Sequence, residues 1–369
     1  MSRNSVKGKT CTMFLPTAAL AAVCVATAAS PAFAGDTLTT LASFNGTNGT
    51  DPQAGLILFG DTLYGTTSAG GVNNDGTVFS LPTTGGTPTT LAAFNGANGV
   101  VPLAGLTLSG GTLYGTTSAG GANNDGTVFS VPITGGTATT LVTFNGTNGA
   151  DPIGGLTLSG GTLYGTTEVG GVNNDGTVFS VPVAGGTPTT LVTFNGSNGA
   201  HPYADHLVLS GGTLYGTTFS GGAYSAGTVF SVPITGGTPT TLVTFNGANG
   251  QLPAAGLTLV GGLLYGTTSN GGANNDGTVF SVPITGGTPT TLFSFDGTNG
   301  ADPVGGLILF GDTLYGTTSA GGVNNDGTVF EITTPEPASW ALLAVSAAAG
   351  LMLCPGRYRK KLILVGQKI

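Results

Sequence analysis

The chain has 369 residues, of which 68 are glycine and 20 are proline, and its formal net charge is −8. All eight basic residues lie at its two ends, so the span from residue 35 to residue 334 has no Lys or Arg but carries fifteen of the sixteen acidic residues. This body is therefore not a nucleic-acid-binding domain, because neutralising phosphates requires cations. It also has none of the three cysteines, which excludes disulfides and thiolate metal sites there.

The N-terminus predicts export. Arg3, Lys7 and Lys9 precede an apolar run over residues 13–29, and Ala32-Phe33-Ala34 follows with small residues at the two positions that a signal peptidase reads. This order is typical of a secretory signal peptide. We expect residues 1–34 to be a signal peptide that is cleaved after Ala34.

The body consists of six tandem repeats of about 50 residues. Each repeat offers four short segments rich in Thr, Val, Phe and Tyr, separated by Gly-Gly or Gly-Asp pairs, and this pattern is typical of strands and turns. A four-stranded unit of this length has the size of a propeller blade. The recurrent Gly-Thr-Val-Phe segment, which numbers the repeats one to six, begins at Gly76, Gly126, Gly176, Gly227, Gly277 and Gly327.

The two ends of the body predict how the array closes. Thr39 to Phe44 matches the fourth strand segment of a repeat, but the first three strand segments do not precede it. The last repeat ends at its third strand segment, Gly327 to Ile332, and lacks the fourth. Pairing the two would join the ends and remove exposed sheet edges, whereas a linear solenoid would need capping repeats. The sequence predicts an all-β, six-bladed β-propeller of four-stranded blades over residues 35–334, closed by the N-terminal strand completing the last blade.

The repeat itself resembles a known one. Leu-Tyr-Gly-Thr-Thr followed by Gly-Gly-x-Asn-Asn-Asp-Gly-Thr-Val-Phe is similar to the GloVer tandem repeat of bacterial choice-of-anchor proteins, over roughly residues 35–332. Repeat four departs from the pattern and reads Gly221-Gly-Ala-Tyr-Ser-Ala-Gly227. The resemblance implies a surface-anchored protein and brings no activity with it.

Long loops on one face of the predicted propeller carry most of the acidic residues, and loops carry function more often than scaffolds do. Three explanations stay open for the Asn-Asn-Asp-Gly loops. These residues are good turn formers, their oxygens suit calcium, and they could hydrogen-bond sugar hydroxyls. The candidate ligands in these loops are Asp75, Asp125, Asp175, Asp276 and Asp326.

Repeat four holds the only two histidines, His201 and His206, with Asp205 between them. Two imidazoles and a carboxylate could bind a transition metal. The alternative is sequence drift that leaves a polar patch on one blade. The body has no arginine for sialidase-like chemistry and no nucleophile-elbow sequence, so we expect a non-catalytic protein with no required cofactor. A metal-dependent extracellular hydrolase or lyase is the alternative.

The C-terminus, residues 335–369, predicts sorting. Pro335-Glu336-Pro337 precedes an uncharged stretch from Ala338 to Cys354 and a basic cluster over residues 357–361. This tail resembles the PEP-CTERM sorting signal of Gram-negative bacteria. The resemblance implies an exosortase-type partner, membrane attachment at least before processing, and delivery to the cell surface or extracellular matrix. Exopolysaccharide or envelope proteins are the expected partners there.

Overall fold

A computed structural model describes residues 39–203 and 206–333 of the chain. All regular structure in these two ranges is β: 23 strands form six antiparallel sheets, five of four strands and one of three. The predicted signal peptide, the Pro335-Glu336-Pro337 motif and Asp205 lie outside the described residues.

Each repeat forms one sheet, whose strands are adjacent in the order in which they occur in the chain. Sheet 1 consists of β1 (Ile57–Phe59), β2 (Thr62–Thr67), β3 (Thr77–Pro82) and β4 (Thr89–Ala93). Sheet 2 consists of β5 (Thr107–Ser109), β6 (Thr112–Thr117), β7 (Thr127–Pro132) and β8 (Thr139–Thr143). Sheet 3 consists of β9 (Thr157–Ser159), β10 (Thr162–Thr167), β11 (Thr177–Pro182) and β12 (Thr189–Thr193).

The remaining sheets follow the same plan. Sheet 4 consists of β13 (Val208–Ser210), β14 (Thr213–Thr218), β15 (Thr228–Pro233) and β16 (Thr240–Thr244). Sheet 5 consists of β17 (Thr258–Val260), β18 (Leu263–Thr268), β19 (Thr278–Pro283) and β20 (Thr290–Ser294). Sheet 6 consists of β21 (Ile308–Phe310), β22 (Thr313–Thr318) and β23 (Thr328–Thr333).

The glycine inside each second strand makes room for an aromatic ring. Gly115 of β6 pairs with Phe129 of β7, and a Cβ atom on Gly115 would lie only 2.6 Å from Cζ of that phenylalanine. A glycine inside a strand often marks such a close approach. The Leu-Tyr-Gly-Thr-Thr pattern therefore fits the phenylalanine of the Gly-Thr-Val-Phe segment into the sheet beside it.

The core lies between consecutive sheets. We call the side of a sheet that meets the next sheet along the chain its trailing face, and the opposite side its leading face. Tyr64 and Val78 on the trailing face of sheet 1 are buried in one cluster with Leu106 and Phe129 on the leading face of sheet 2. Phe94, just after β4, meets the ring of Phe129 edge-on with 4.9 Å between centroids, a favourable aromatic geometry. Equivalent pairs join every later sheet to its predecessor.

The segment before the first sheet takes the place of a missing fourth strand. Phe44 meets Phe79 of sheet 1 edge-on at 5.0 Å, as Phe94 meets its partner in sheet 2. The carbonyl of Leu41 accepts a hydrogen bond of 2.8 Å from the N–H of Gly86, and the carbonyl of Leu91 accepts the equivalent bond from Gly136. Leu41 and Phe44 therefore cover the leading face of sheet 1 as a preceding fourth strand would.

The predicted closure of the array is not formed in the structure. Within the described residues β23 pairs only with β22, and Thr39 to Phe44 adopts no strand, so sheet 6 has three strands. With no strand beside it, Val329 of β23 is 80% exposed, although its counterpart Val78 is fully buried. Leu41 and Phe44 of this segment contact sheet 1, so only the half of the predicted arrangement that faces sheet 1 is formed. The structure is a propeller-like array of six sheets whose last sheet lacks a strand.

Candidate functional site

The fold brings all six repeats to one cavity of about 760 Å³. Two parts of each repeat can contribute to it: the loop before the first strand, and the residues just after the second strand. One loop position lines the cavity in every repeat. Its six residues are Gln53, Leu103, Ile153, Tyr203, Ala254 and Val304.

Backbone hydrogen bonds to two sheets fix this loop. In repeat four, the N–H of His201 donates to the carbonyl of Asp175 in the preceding repeat at 2.9 Å. The carbonyl of His201 accepts the N–H of Phe219, just after β14, at 2.8 Å. His201 has a φ of 54°, in the left-handed region, and the equivalent residue has a positive φ in all six repeats. The cavity-lining side chain two residues later therefore projects from a backbone held on both sides.

The residue that follows the second strand pairs with this left-handed residue. In repeat one, the Ser68 hydroxyl donates to Oδ2 of Asp51 at 3.1 Å. In repeat six, the Ser319 hydroxyl donates to Oδ2 of Asp302 at 2.8 Å. In these two pairs a neutral hydroxyl donates a hydrogen bond to the aspartate carboxylate. The middle repeats lack this Ser–Asp pair.

Repeat three replaces the serine by a second carboxylate. Burial raises the pKa of Asp151 above its usual range. Burial also raises the pKa of Glu168, the charge of Asp151 raises it further, and His201 opposes the shift. No Lys or Arg of the body can neutralise this pair, because residues 35–334 contain none. Glu168 lines the cavity and so presents this carboxylate to any ligand in it.

Repeat four supplies an aromatic wall instead. Tyr203 and Phe219 both line the cavity, and their ring centroids lie 5.8 Å apart with the planes tilted by 45°. The Tyr203 side chain is 45% exposed. Beside them, Nδ1 of His201 is buried and has no hydrogen-bond partner in the described part of the chain. The repeat that departs most from the others thus forms the aromatic side of the cavity.

The predicted pair of histidines does not share a cavity. His201 precedes the cavity-lining Tyr203, whereas His206 lines a smaller cavity of about 290 Å³ that also touches Gly55, Gly105 and Gly155. Asp205 lies outside the described residues. Over residues 39–203 and 206–333, no group of three His, Cys, Asp or Glu side chains is placed to hold a metal ion.

The Asn-Asn-Asp-Gly loops use their asparagines for the turn itself. In repeat one, Nδ2 of Asn73 donates to the carbonyl of Phe94 at 2.7 Å, and Oδ1 of Asn74 accepts from the N–H of Gly70 at 3.2 Å. Asn74 has a φ of 63°, which asparagine tolerates well. The carboxylates that share these loops are not among the residues that line the large cavity: Asp75, Asp125, Asp175, Asp276 and Asp326.

Sequence reasoning singled out the histidines of repeat four and missed the loop position to which Tyr203 belongs. The signal that could have found it is variation among the repeats. Aligning the six repeats on their Gly-Thr-Val-Phe segments shows six different residues at this position, in units that are otherwise nearly identical. Acidic content instead drew attention to the Asn-Asn-Asp-Gly loops.

With the repeat and its cavity described, comparison with known proteins gives the family. The model of the Gloeobacter/Verrucomicrobia repeat matches residues 27–207 and 160–351, which together span far more than half of the chain. The chain belongs to the Gloeobacter/Verrucomicrobia repeat family. This confirms the prediction of a tandem-repeat protein.

Several solved structures are similar to this Gloeobacter/Verrucomicrobia repeat protein at low sequence identity. The extracellular domain of a hybrid two-component system from B. thetaiotaomicron has a TM-score of 0.51 at 12% identity, over 79% of this chain and 34% of that one. TolB from Acinetobacter baumannii has a TM-score of 0.43 at 14% identity, over 71% and 58%. A puromycin-hydrolyzing peptidase from Mycobacterium tuberculosis has a TM-score of 0.48 at 14% identity, over 76% and 43%. The first of these supports a propeller-like fold.

No curated protein matches the chain. Among the described residues, the structure contains no helix long and apolar enough to cross a membrane.

Proposed function

We propose that this repeat protein is an exported, non-catalytic binding or structural protein of the cell surface or extracellular matrix of a Gram-negative bacterium. The observation that carries the proposal is the shared cavity. Near-identical repeats build a rigid scaffold, and the one loop position that differs in every repeat lines that cavity. Fixed backbone with varied side chains at a concave site is what a recognition surface requires.

The proposed localisation rests on the two ends of the sequence. The predicted signal peptide over residues 1–34 supports export, and the tail over residues 335–369 supports recognition by an exosortase-type sorting enzyme. Replacing Pro335, Glu336 and Pro337 together by alanine should leave an unprocessed protein attached to the membrane. Cell fractionation with external protease and intact-mass analysis compares it with the wild type. Identical mass and location for the two proteins would contradict the sorting proposal.

We further propose that the array closes into a six-bladed propeller. Two half-interfaces support closure. On the leading face of sheet 1, Leu56 is 56% exposed, whereas its counterpart Leu106 in sheet 2 is 9% exposed. On the trailing face of sheet 6, Ile308 and Val329 are exposed as well. Burying each such side chain fully contributes about 1.5–3 kcal/mol.

The repeats themselves provide the complementary surfaces. Residues 55–79 and 306–330 are identical in sequence. The trailing face of sheet 1, with Tyr64 and Val78, already packs against the leading face of sheet 2. Sheet 6 therefore carries the same trailing-face residues as a sheet that does have a neighbour. Leu41 and Phe44 already contact sheet 1, and they belong to the segment that we propose as the missing strand of sheet 6.

The sequence predicts that the loop carboxylates bind calcium, because hard oxygen ligands in loops suit this ion. If the loops bind calcium, the ion should raise the melting temperature relative to protein treated with a chelator, since binding to the folded state stabilises it. Replacing Asp125 and Asp175 by asparagine should reduce that rise. Equal melting temperatures with calcium and with chelator would contradict the prediction.

A further inference from the structure

We propose that the large cavity binds an uncharged sugar unit of a polysaccharide, which stacks on the Tyr203–Phe219 wall and donates hydroxyl hydrogen bonds to Glu168. The inference rests on the proposed binding function and names its ligand class. It concerns a site other than the acidic loops that the sequence indicated.

Differences among the repeats are concentrated at the cavity. Strand and turn positions are nearly invariant from repeat to repeat, yet the residue after the cavity-side proline is different in all six. The residue just after the second strand is Ser in four repeats, Glu168 in repeat three and Phe219 in repeat four. Both departures, together with Tyr203, fall on one side of the cavity, formed by adjacent repeats. The asymmetry thus makes one compact wall.

The wall combines two aromatic rings with polar acceptors. Tyr203 offers a large, rigid and partly exposed ring beside Phe219, and such a surface contacts the apolar face of a ring-shaped ligand with little loss of side-chain entropy. Glu168 adds a carboxylate acceptor, and hydrogen bonds to charged acceptors are stronger than those between neutral groups. Asn270 and Asp302 supply further polar groups on the part of the wall that repeats five and six contribute. Aromatic surface with a few polar acceptors matches a polyhydroxylated ring.

The carboxylates of the cavity exclude acidic ligands. A uronic acid or a phosphate in this cavity would meet Glu168 and Asp302 with no Lys or Arg to offset the repulsion, since residues 35–334 contain neither. Like charges brought together in a partly desolvated site repel strongly. The volume of about 760 Å³ falls within the usual range of ligand pockets. An uncharged sugar satisfies both the charge and the size of the cavity.

The test is titration calorimetry of the full chain with a panel of hexasaccharides. The uncharged members are maltohexaose, cellohexaose, mannohexaose and xylohexaose, and the charged members are a galacturonate hexamer and a chitosan hexamer. We expect at least one uncharged member to bind and the galacturonate hexamer not to bind. Absence of binding by all four uncharged members would overturn the inference. So would binding of either charged hexamer more tightly than every uncharged one.

Three variants locate the binding. Phe219→Ser and Glu168→Ser each install the residue that four other repeats carry at that position, and Tyr203→Ala installs the residue of repeat five, so all three should fold. Each should weaken binding about tenfold or more, equivalent to about 1.4 kcal/mol. The control is Tyr224→Ala, which removes an exposed tyrosine of repeat four that does not line the cavity. This control should leave the affinity unchanged.

The outcomes separate this inference from the broader proposal. If an uncharged hexasaccharide binds and the three cavity variants keep wild-type affinity, the protein binds sugar elsewhere and the cavity assignment is wrong. If no hexasaccharide binds while the protein still reaches the cell surface in fractionation, the ligand class is wrong and the surface role stands. Loss of affinity in Tyr224→Ala alone would move the site to the outer loop of repeat four.

Discussion

At the scale of single residues, one backbone position shows how strongly the fold constrains the sequence. The residue two places before the cavity-lining position has a positive φ in every repeat, between 54° and 58°. Repeats one, three and six place Asp there and repeat four places His, residues that tolerate this region comparatively well. Repeats two and five place Val101 and Leu252 there instead. A β-branched residue in the left-handed region is strained, so Val101 should destabilise the protein.

Replacing Val101 by asparagine should therefore stabilise the protein by about 1 kcal/mol, because asparagine adopts this backbone with less strain. Urea unfolding of wild type and variant measures the change in the free energy of unfolding. The matched control is Val72→Asn, at a valine that is 88% exposed and outside the left-handed region, and it should leave the free energy unchanged. A Val101→Asn variant no more stable than wild type would contradict the assignment of strain.

A second residue-scale prediction concerns pH. The pKa of Glu168 is raised in the folded state, first by burial and then by the charge of Asp151. The folded protein therefore binds this proton more tightly than the unfolded chain does, and stability falls as pH rises from the usual glutamate pKa through the raised one. Glu168→Gln removes this penalty.

The Glu168→Gln variant should accordingly be more stable than wild type at pH 7, by less than about 1 kcal/mol because the pair is half exposed. The gain should disappear at a pH below the usual glutamate range, where the wild-type carboxyl is protonated in both states. Thermal melts of both proteins across this pH range measure it. The same variant at Glu331, an exposed glutamate of sheet 6, serves as the control. A gain that is constant with pH would sink the explanation.

At the scale of the element, the strands and the repeat boundaries could be predicted from the sequence because the same strand and turn segments recur in each repeat. Segments rich in Thr, Val, Tyr and Phe became strands, and the Gly-Gly and Gly-Asp pairs became turns. The turn role of the asparagines in the Asn-Asn-Asp-Gly loops also followed from residue type, and Asn73 and Asn74 confirm it. What residue type could not give was the partner of Thr39 to Phe44. Its pattern marks a fourth strand, but pairing also depends on a sheet at the other end of the body.

The cavity could not be predicted from the sequence for a related reason. Periodicity predicts which residues alternate across a strand, whereas the convergence of six loops depends on how six sheets are arranged in space. Tyr203 and Phe219 are 16 positions apart in the chain, and backbone bonds of His201 with Phe219 and of Ala200 with Ser220 bring their segments together. Burial is the main cause of the raised pKa of Glu168, and the second cause, the charge of Asp151, likewise comes from a residue across such a backbone bond.

The glycine inside the second strand provides an element-scale prediction. In Gly115→Ala the new Cβ atom would lie 2.6 Å from a ring carbon of Phe129, which is fully buried, so the core must shift. Overpacking of this kind costs about 1–3 kcal/mol. Gly105→Ala is the control, because its Cβ atom would meet only a carbonyl oxygen at 3.6 Å. Chemical denaturation of the two variants should separate them by that amount. Equal stability would show that the glycine does not serve the phenylalanine.

At the scale of the whole molecule, all six repeats contribute to one cavity. The cavity already includes Gln53 of repeat one and Val304 of repeat six, the two repeats at opposite ends of the array. A closed ring would give this cavity a continuous wall and would bury the exposed apolar side chains of sheets 1 and 6. An array that stays open would instead present complementary faces to a second copy, since unlike faces that match give head-to-tail assembly.

The register of the complete sheets makes closure testable at one residue pair. Val78 of β3 lies opposite Ala92 of β4, and the same pairing recurs in every four-stranded sheet. By this register Val329 of β23 would lie opposite Ala42. Opposed residues on antiparallel strands are about 4.5–5.5 Å apart between Cα atoms, which suits a disulfide.

The most direct measurement is therefore mild oxidation of the Ala42→Cys, Val329→Cys variant, with Cys11, Cys24 and Cys354 replaced by serine. Non-reducing electrophoresis and peptide mass analysis then identify the cross-link. A closed propeller predicts a disulfide between positions 42 and 329 within one monomer, and none when Val323, a fully exposed loop residue of repeat six, carries the second cysteine instead. Disulfide-linked dimers, or no bond between positions 42 and 329, would contradict the closed ring.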